Sequence, residues 1–335
     1  MALWACPASV AEEDTYGLRE NYTREVMSVF SRLRATQEHL SFLRKHSLTL
    51  EVVSGGRLPE KAVAAYCGGS VYLNKDVLMG FAGELSARGV PRDSILEIVA
   101  WKTAPFIAHE IRHAITQYEA RRKLHIPFLF PSQEGELLSF LDTLLVAQGS
   151  IAAQPQWWEE SSVLESDAVV GSLLLAWKDG PRGLRKMVRR AYPEAASFIS
   201  DPPERSLPPL EEWIAALERR LNGIRKCRED ARTSKVHALT REYMEVCLSL
   251  VELEESIRKA RKRIEGYERG ALPDDSKDTG SMSERDTEQT LEILKRRRDL
   301  LQDSGKMEAL RAFFRERLRR IDDAWRARRA SKKRG

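Results

Sequence analysis

His109-Glu110-Ile111-Arg112-His113 is the stretch on which the reading of this chain turns. It sets two imidazoles one helical turn apart with a carboxylate between them. Residues four apart on an α-helix share a face and lie about 6 Å apart along the axis, so both rings can reach one tetrahedral Zn2+. Glu110 projects to one side of that pair. A carboxylate there can take a proton from a water that the ion acidifies toward a pKa of about 7, and can later pass it to a leaving amine.

The neighbouring residues favour a helix. Ile107, Ile111, Ala114, Ile115 and Tyr118 recur at helical spacing as a core-facing stripe, and His109 and His113 fall roughly opposite it, facing a cleft. The plainer alternatives are a chance surface match and two hydrogen-bonded histidines. The surroundings of the motif decide between them.

The motif in this setting resembles the zincin metallopeptidases, and among them the gluzincin type, over about residues 48–148. The resemblance implies hydrolysis of peptide bonds, one zinc ion, and a third ligand that is a glutamate on a later helix. Ala62–Tyr66 and Val71–Leu73, separated by Gly68-Gly69, read as short strands before a helix that begins near Lys75. They resemble the zincin edge strand, which holds an extended peptide by strand addition. Leu48–Val53 is a further strand candidate. Asp93 is placed to cap the long helical run that Pro105 kinks or divides.

In extended metzincins the third ligand follows a glycine turn. The matching positions here are Thr116 and Glu119, so the helix is expected to continue and carry Glu119 away from the metal. A gluzincin ligand comes from a second helix, and Ser132 through Gln148 supplies one. Pro131 precedes it, Ser132 is a good N-cap, and Leu137, Leu141, Leu144 and Leu145 form its apolar stripe. Glu136 is the preferred ligand, because Ser139 matches the family's small residue three positions on. Glu134 is the alternative, and both acids also suit the positive end of a helix dipole. The aspartate that often follows the ligand by four residues is replaced by Phe140 after Glu136, or by Leu138 after Glu134. Support for a metal-bound histidine is then sought from Asp142 or a backbone carbonyl. A remoter ligand source is Glu165, in Glu165-Ser166-Asp167-Ala168, on a helix between Gln156 and Lys178 that Gly180-Pro181 stops. Tyr66, Tyr118, Arg112 and His125 are the candidates for steadying an oxyanion.

A chain of 335 residues with 42% hydrophobic content can bury a sizeable core and form two regions. No run of eighteen apolar residues occurs, so no membrane span is expected. Cys6, Cys67, Cys227 and Cys247 lack zinc-ribbon spacing. Residues 1–15 read as a signal remnant or a frayed end, which leaves export and the cytoplasm both open. Residues 16–200 are assigned to the zincin-like region, which begins with a helical segment from Tyr16 to about His46.

Asp201-Pro202-Pro203 and Pro208-Pro209 mark a linker at 201–210. Residues 211–325 read as a helical arm, with helical spacing around Trp213, Leu217, Leu221 and Ile224. Within it, Val236 through Tyr267 carry an a/d seam, residues 270–287 read as a flexible connection, and a helical run from Leu291 to Ile321 follows. The basic end at 326–335 has no aromatic interleaving, so nucleic acid is not the expected partner. The expected fold is α+β and mostly helical, with a short sheet and an active-site helix followed by a coiled-coil hairpin. The expected partners are a peptide or protein substrate and, through the seam, a second copy or another protein. A scaffold with an inactive zincin-like part is the alternative function.

Overall fold

A computed structural model of the chain describes residues 18–54, 58, 62–67, 69–127, 129–159, 165–193, 195, 197–200, 210–212, 214–219, 221–226 and 284–332. The described residues are mostly helical, with one small sheet. The a/d seam expected over 236–267 and the terminus expected over 1–15 lie outside them.

The N-terminal apolar spacing forms two helices, α1 (Leu18–Arg32) and α2 (Gln37–His46), instead of one. A 3-10 turn at Arg34–Thr36 separates them, and the Thr36 hydroxyl holds it by donating to the carbonyls of Phe30 and Leu33. The stripe Leu18, Tyr22, Val26, Phe30 and Leu33 is buried. The Tyr22 hydroxyl meets that of Thr103 on the central helix, which docks α1 there.

Three strands follow: β1 (Thr49–Val53), β2 (Ala64–Cys67) and β3 (Ser70–Asn74). Their order is β1-β3-β2, with β1 parallel and β2 antiparallel to β3, so β2 is an edge. Cys67 pairs with Ser70 across Gly68-Gly69, and Gly69, at φ 95°, supplies the left-handed backbone that a two-residue hairpin requires. The Asn74 N–H donates to the Val63 carbonyl. Alternation along the pair then turns the backbone N–H and C=O of Ala64 and Tyr66 toward the outer edge.

Asn74 ends β3 and caps α3 (Lys75–Ala87) by accepting from the N–H groups of Asp76 and Val77. The central helix α4 (Arg92–Leu124) spans 33 residues and runs undivided through the buried Pro105. Pro91 is its N-cap and Asp93 lies within its first turn, so Asp93 serves the helix dipole and not a cap. Helix α5 (Gln133–Ala153) starts as expected, with the Ser132 side chain accepting from the Gly135 N–H, and extends beyond Gln148. By length and composition α5 is apolar enough to cross a membrane. In this fold its apolar residues Leu137 and Leu144 are buried against Leu173, Leu184 and Val188.

The helix expected between Gln156 and Lys178 is described as α6 (Gln156–Glu159) and α7 (Glu165–Trp177). A helix that the sequence reading lacks follows, α8 (Pro181–Ala191). Pro181 opens it at a position where no N–H is needed. Gly183 lets it approach α7 closely, since a Cβ there would collide with the Ala176 carbonyl.

The C-terminal run consists of α9 (Glu284–Gln302) and α10 (Ser304–Lys332). Between them the Asp303 side chain accepts from the Lys306 N–H at 2.9 Å, as a cap does. Residues 284–287, the end of the expected flexible connection, already belong to α9, and α10 carries the basic end in helical form to Lys332.

The described residues divide into two compact units. One comprises residues up to Phe198 together with those from Leu310 onward, so the last helix contributes to the region expected to end near residue 200. Within it Phe314 stacks on Phe198, and Arg317 pairs with Glu119. The other unit covers Ile199–Ala309, and there Leu210, Ile214, Leu217 and Leu221 are buried with Leu291 and Leu294.

Candidate metal centre

The stripe on α4 does what its spacing implies, since Ile107, Ile111, Ala114 and Ile115 are all buried. The opposite flank faces the start of α5. There His109 Nε2 lies 3.2 Å from His113 Nε2 and 3.4 Å from Glu136 Oε2, and His113 Nε2 lies 3.5 Å from Glu136 Oε1. These residues form a group able to hold a metal ion, with all ligand atoms within 4.8 Å of one another.

Two imidazole nitrogens and one carboxylate group face a common space that suits one ion. A tetrahedral zinc with bonds of about 2.0–2.1 Å holds its ligand atoms roughly 3.3 Å apart, close to each of these separations, although the two that reach Glu136 end on different oxygens of its carboxylate. Two imidazoles and a carboxylate are also the donor set that a borderline cation takes when one position stays open.

Electrostatics around the group favour a cation. Burial disfavours charge on both Glu136 and His109, yet their partners shift each toward its charged form. The charge of His113 and the hydrogen bond from His109 carry the Glu136 carboxyl below its ordinary range. The hydrogen bond to Glu136 and the charges of Glu110, Glu136 and Asp142 carry His109 above its own. A divalent ion satisfies the same negative surroundings in place of a proton.

The ring of His109 is aimed from behind. Its Nδ1 lies 3.2 Å from the Thr143 hydroxyl, which itself donates to the Ser139 carbonyl at 3.0 Å. The Thr143 oxygen is therefore an acceptor toward the ring, which places the proton on Nδ1 and the lone pair on Nε2. Phe140 packs edge-on against His109, with ring centroids 4.6 Å apart. The position where the sequence resemblance called for an aspartate thus holds an apolar wall, and the supporting polar group comes one turn later. Asp142, the expected support, is engaged elsewhere. It accepts from Arg112 Nε at 2.6 Å and lies 2.7 Å from His39 Nε2, linking α2, α4 and α5. Burial opposes its ionisation, but these two partners keep its pKa below the ordinary value.

Glu110 flanks the group without joining it. Its Oε2 accepts the outward Tyr66 N–H of β2 at 2.8 Å. Glu134, the alternative ligand, is turned away, accepting from the Ser197 hydroxyl at 2.5 Å and the Phe198 N–H at 3.0 Å. Glu165 begins α7, and its side chain lies outside the described residues. Glu119 is carried off as expected, to Lys123 and Arg317.

The expected oxyanion partners separate in space. Arg112 is committed to Asp142 and Glu38, Tyr118 packs on Phe42 and His46, and exposed His125 ends α4 in a left-handed conformation. Tyr66 reaches Glu110 by its backbone. The tyrosine at the centre is Tyr192, the C-cap of α8, whose ring packs on Phe140 at 5.9 Å and whose hydroxyl interacts with the Glu136 carboxylate. Burial first, then the charges of Glu136 and Glu110, push its pKa well above that of a free phenol, so it stays a donor. Thr143 was findable, because it lies two turns beyond Glu136 on the same helix face. Tyr192 has no local signal, since only the packing of α8 brings it there.

Comparison of the chain with models of protein families, with curated proteins and with solved structures finds no significant match in any of the three.

Proposed function

We propose that this chain is a zinc-dependent peptidase of zincin-like type, with His109, His113 and Glu136 as ligands and Glu110 as general base and acid. The observation that carries the reading is the grouping of His109, His113 and Glu136 at separations of 3.2, 3.4 and 3.5 Å, beside a Glu110 carboxylate held through one oxygen by the Tyr66 N–H. When bound, the ion would supply Lewis acidity for a scissile carbonyl and for the attacking water.

The protein's own groups do the rest. Thr143 keeps His109 in the tautomer that presents Nε2. Tyr66 N–H fixes the direction of the Glu110 carboxylate, whose other oxygen is left to receive the water's proton and deliver it to the leaving amine. The Tyr192 hydroxyl, which lies beside Glu136, is the donor available to turn toward the oxygen on which negative charge develops. Along β2, the outward backbone of Ala64 and the Tyr66 carbonyl offer an extended peptide a strand to pair with, which favours broad side-chain tolerance.

The test is Glu110→Gln in zinc-loaded protein assayed on fluorescently labelled, unfolded casein. Retained zinc with hydrolysis reduced at least about 100-fold is expected for loss of a general base. Undiminished hydrolysis would remove Glu110 from the role.

A further inference from the structure

We infer that the exposed face of α8 is a docking surface for an acidic stretch of the polypeptide substrate, an inference that rests on the peptidase reading above. The helix reads PRGLRKMVRRA, with five basic residues and no acidic one. Its apolar residues Pro181, Leu184 and Val188 are buried. Arg185 is neutralised by Asp322 at 2.9 Å. Arg182, Lys186, Arg189 and Arg190 are exposed, and among the described residues none has a hydrogen bond or ion pair. The turn before the helix adds exposed Lys178 and a single acid, Asp179.

Several exposed cations elsewhere among the described residues are matched locally, although Arg34, Arg44, Arg88, Arg121 and Arg122 are not. Arg319 and Arg320 pair with Glu316, Arg296 with Glu292, and Lys123 with Glu119. On α8 the spacing does the reverse, placing Arg182 over Lys186, Arg185 over Arg189 and Lys186 over Arg190. Like charges four apart repel, and Arg182 also sits at the positive end of the helix dipole. The helix holds this arrangement through its buried side and Gly183, so the charge serves something outside the fold.

The location says what that is. Two residues beyond Arg190, Tyr192 packs on Phe140, whose ring meets that of His109, so a chain lying along α8 leads into the centre. From Arg182 to Arg189 is roughly 10 Å of helix, which about three residues of extended peptide cover. Nucleic acid is disfavoured because the exposed face, Arg182, Lys186, Arg189, Arg190 and Ala191, carries no aromatic ring for stacking. A membrane is disfavoured because the apolar side of α8 is turned inward.

The experiment measures binding of fluorescein-labelled decaglutamate to the full chain by anisotropy at low salt. Four proteins are compared: wild type, Arg182→Gln/Lys186→Gln/Arg189→Gln/Arg190→Gln, the milder Arg189→Gln/Arg190→Gln, and His109→Ala/His113→Ala. Decaglutamate should bind wild type and the histidine variant equally and lose at least tenfold in affinity with the quadruple variant. The double variant should fall between them, and it substitutes should the quadruple variant not fold. In hydrolysis of a peptide bearing an acidic tract, the charge variants should raise KM and leave kcat unchanged. Equal affinity across the charge variants overturns the inference, as does α8-dependent binding of a DNA duplex or phosphatidylserine vesicles tighter than that of decaglutamate. Decaglutamate binding by a wild-type chain that takes up no zinc and hydrolyses no peptide would mark failure of the peptidase reading instead.

Discussion

Thr143 Oγ lies 3.2 Å behind His109 Nδ1, so a hydroxyl occupies the role that the sequence reading sought from Asp142. A hydroxyl already donating to the Ser139 carbonyl can only accept from the ring, and that fixes which nitrogen faces Glu136.

Thr143→Val keeps the shape and removes the acceptor. Zinc affinity, measured by competition with a chromophoric chelator, should fall about 10–100-fold, and Thr143→Ser should restore it. Unchanged affinity in the valine variant would show that the hydroxyl does not orient the ring.

The two glutamates at the start of α5 have separate duties. Glu136→Gln should abolish stoichiometric zinc in a folded protein. Glu134→Gln should keep zinc and cost stability, about 1–3 kcal/mol, through the weakened bonds to Ser197 and Phe198. Chelator titration and thermal denaturation read the two effects, and zinc loss in the Glu134 variant would reverse the assignment.

Tyr192→Phe removes one hydroxyl from the centre. Zinc should remain while kcat for casein hydrolysis drops about 10²–10³-fold, the cost of losing one oxyanion donor. A change confined to KM would move Tyr192 from stabilising the transition state to holding the ground state.

Asp142 ties α5 to α2 and α4 and makes stability depend on pH. Its folded pKa is depressed, so its contribution is present above the ordinary carboxylate value and is lost as pH falls through the folded one. Asp142→Asn should cost about 3 kcal/mol at neutral pH, and its stability should converge on that of wild type in acid below about pH 4. A difference constant from pH 7 to pH 3 would mean that ionisation of Asp142 does not matter.

The site was legible where one helix carries the whole signal. His109, Glu110 and His113 need only the period of α4, and Glu136 needs a capped helix with an acid in its first turn. The choice between Glu134 and Glu136 was not legible, because both acids suit a helix start and only the loop at Ser197 and Phe198 draws one away. The sheet was largely readable from Gly68-Gly69 and the alternating runs around it. Helix α8 was missed because the Gly180-Pro181 pair that stops one helix also opens the next. The division after Thr36 and the cap at Asp303 each rest on a single side chain bonding to its own backbone, within spacing that otherwise suits a continuous helix.

Zinc content of the purified full chain bears most directly on the donor group, determined by mass spectrometry of the metal alongside the His109→Ala/His113→Ala variant. One zinc per wild-type chain and none in the variant is the expected result. A wild-type chain that takes up no zinc, or a variant that keeps it, would contradict a centre built from His109, His113 and Glu136.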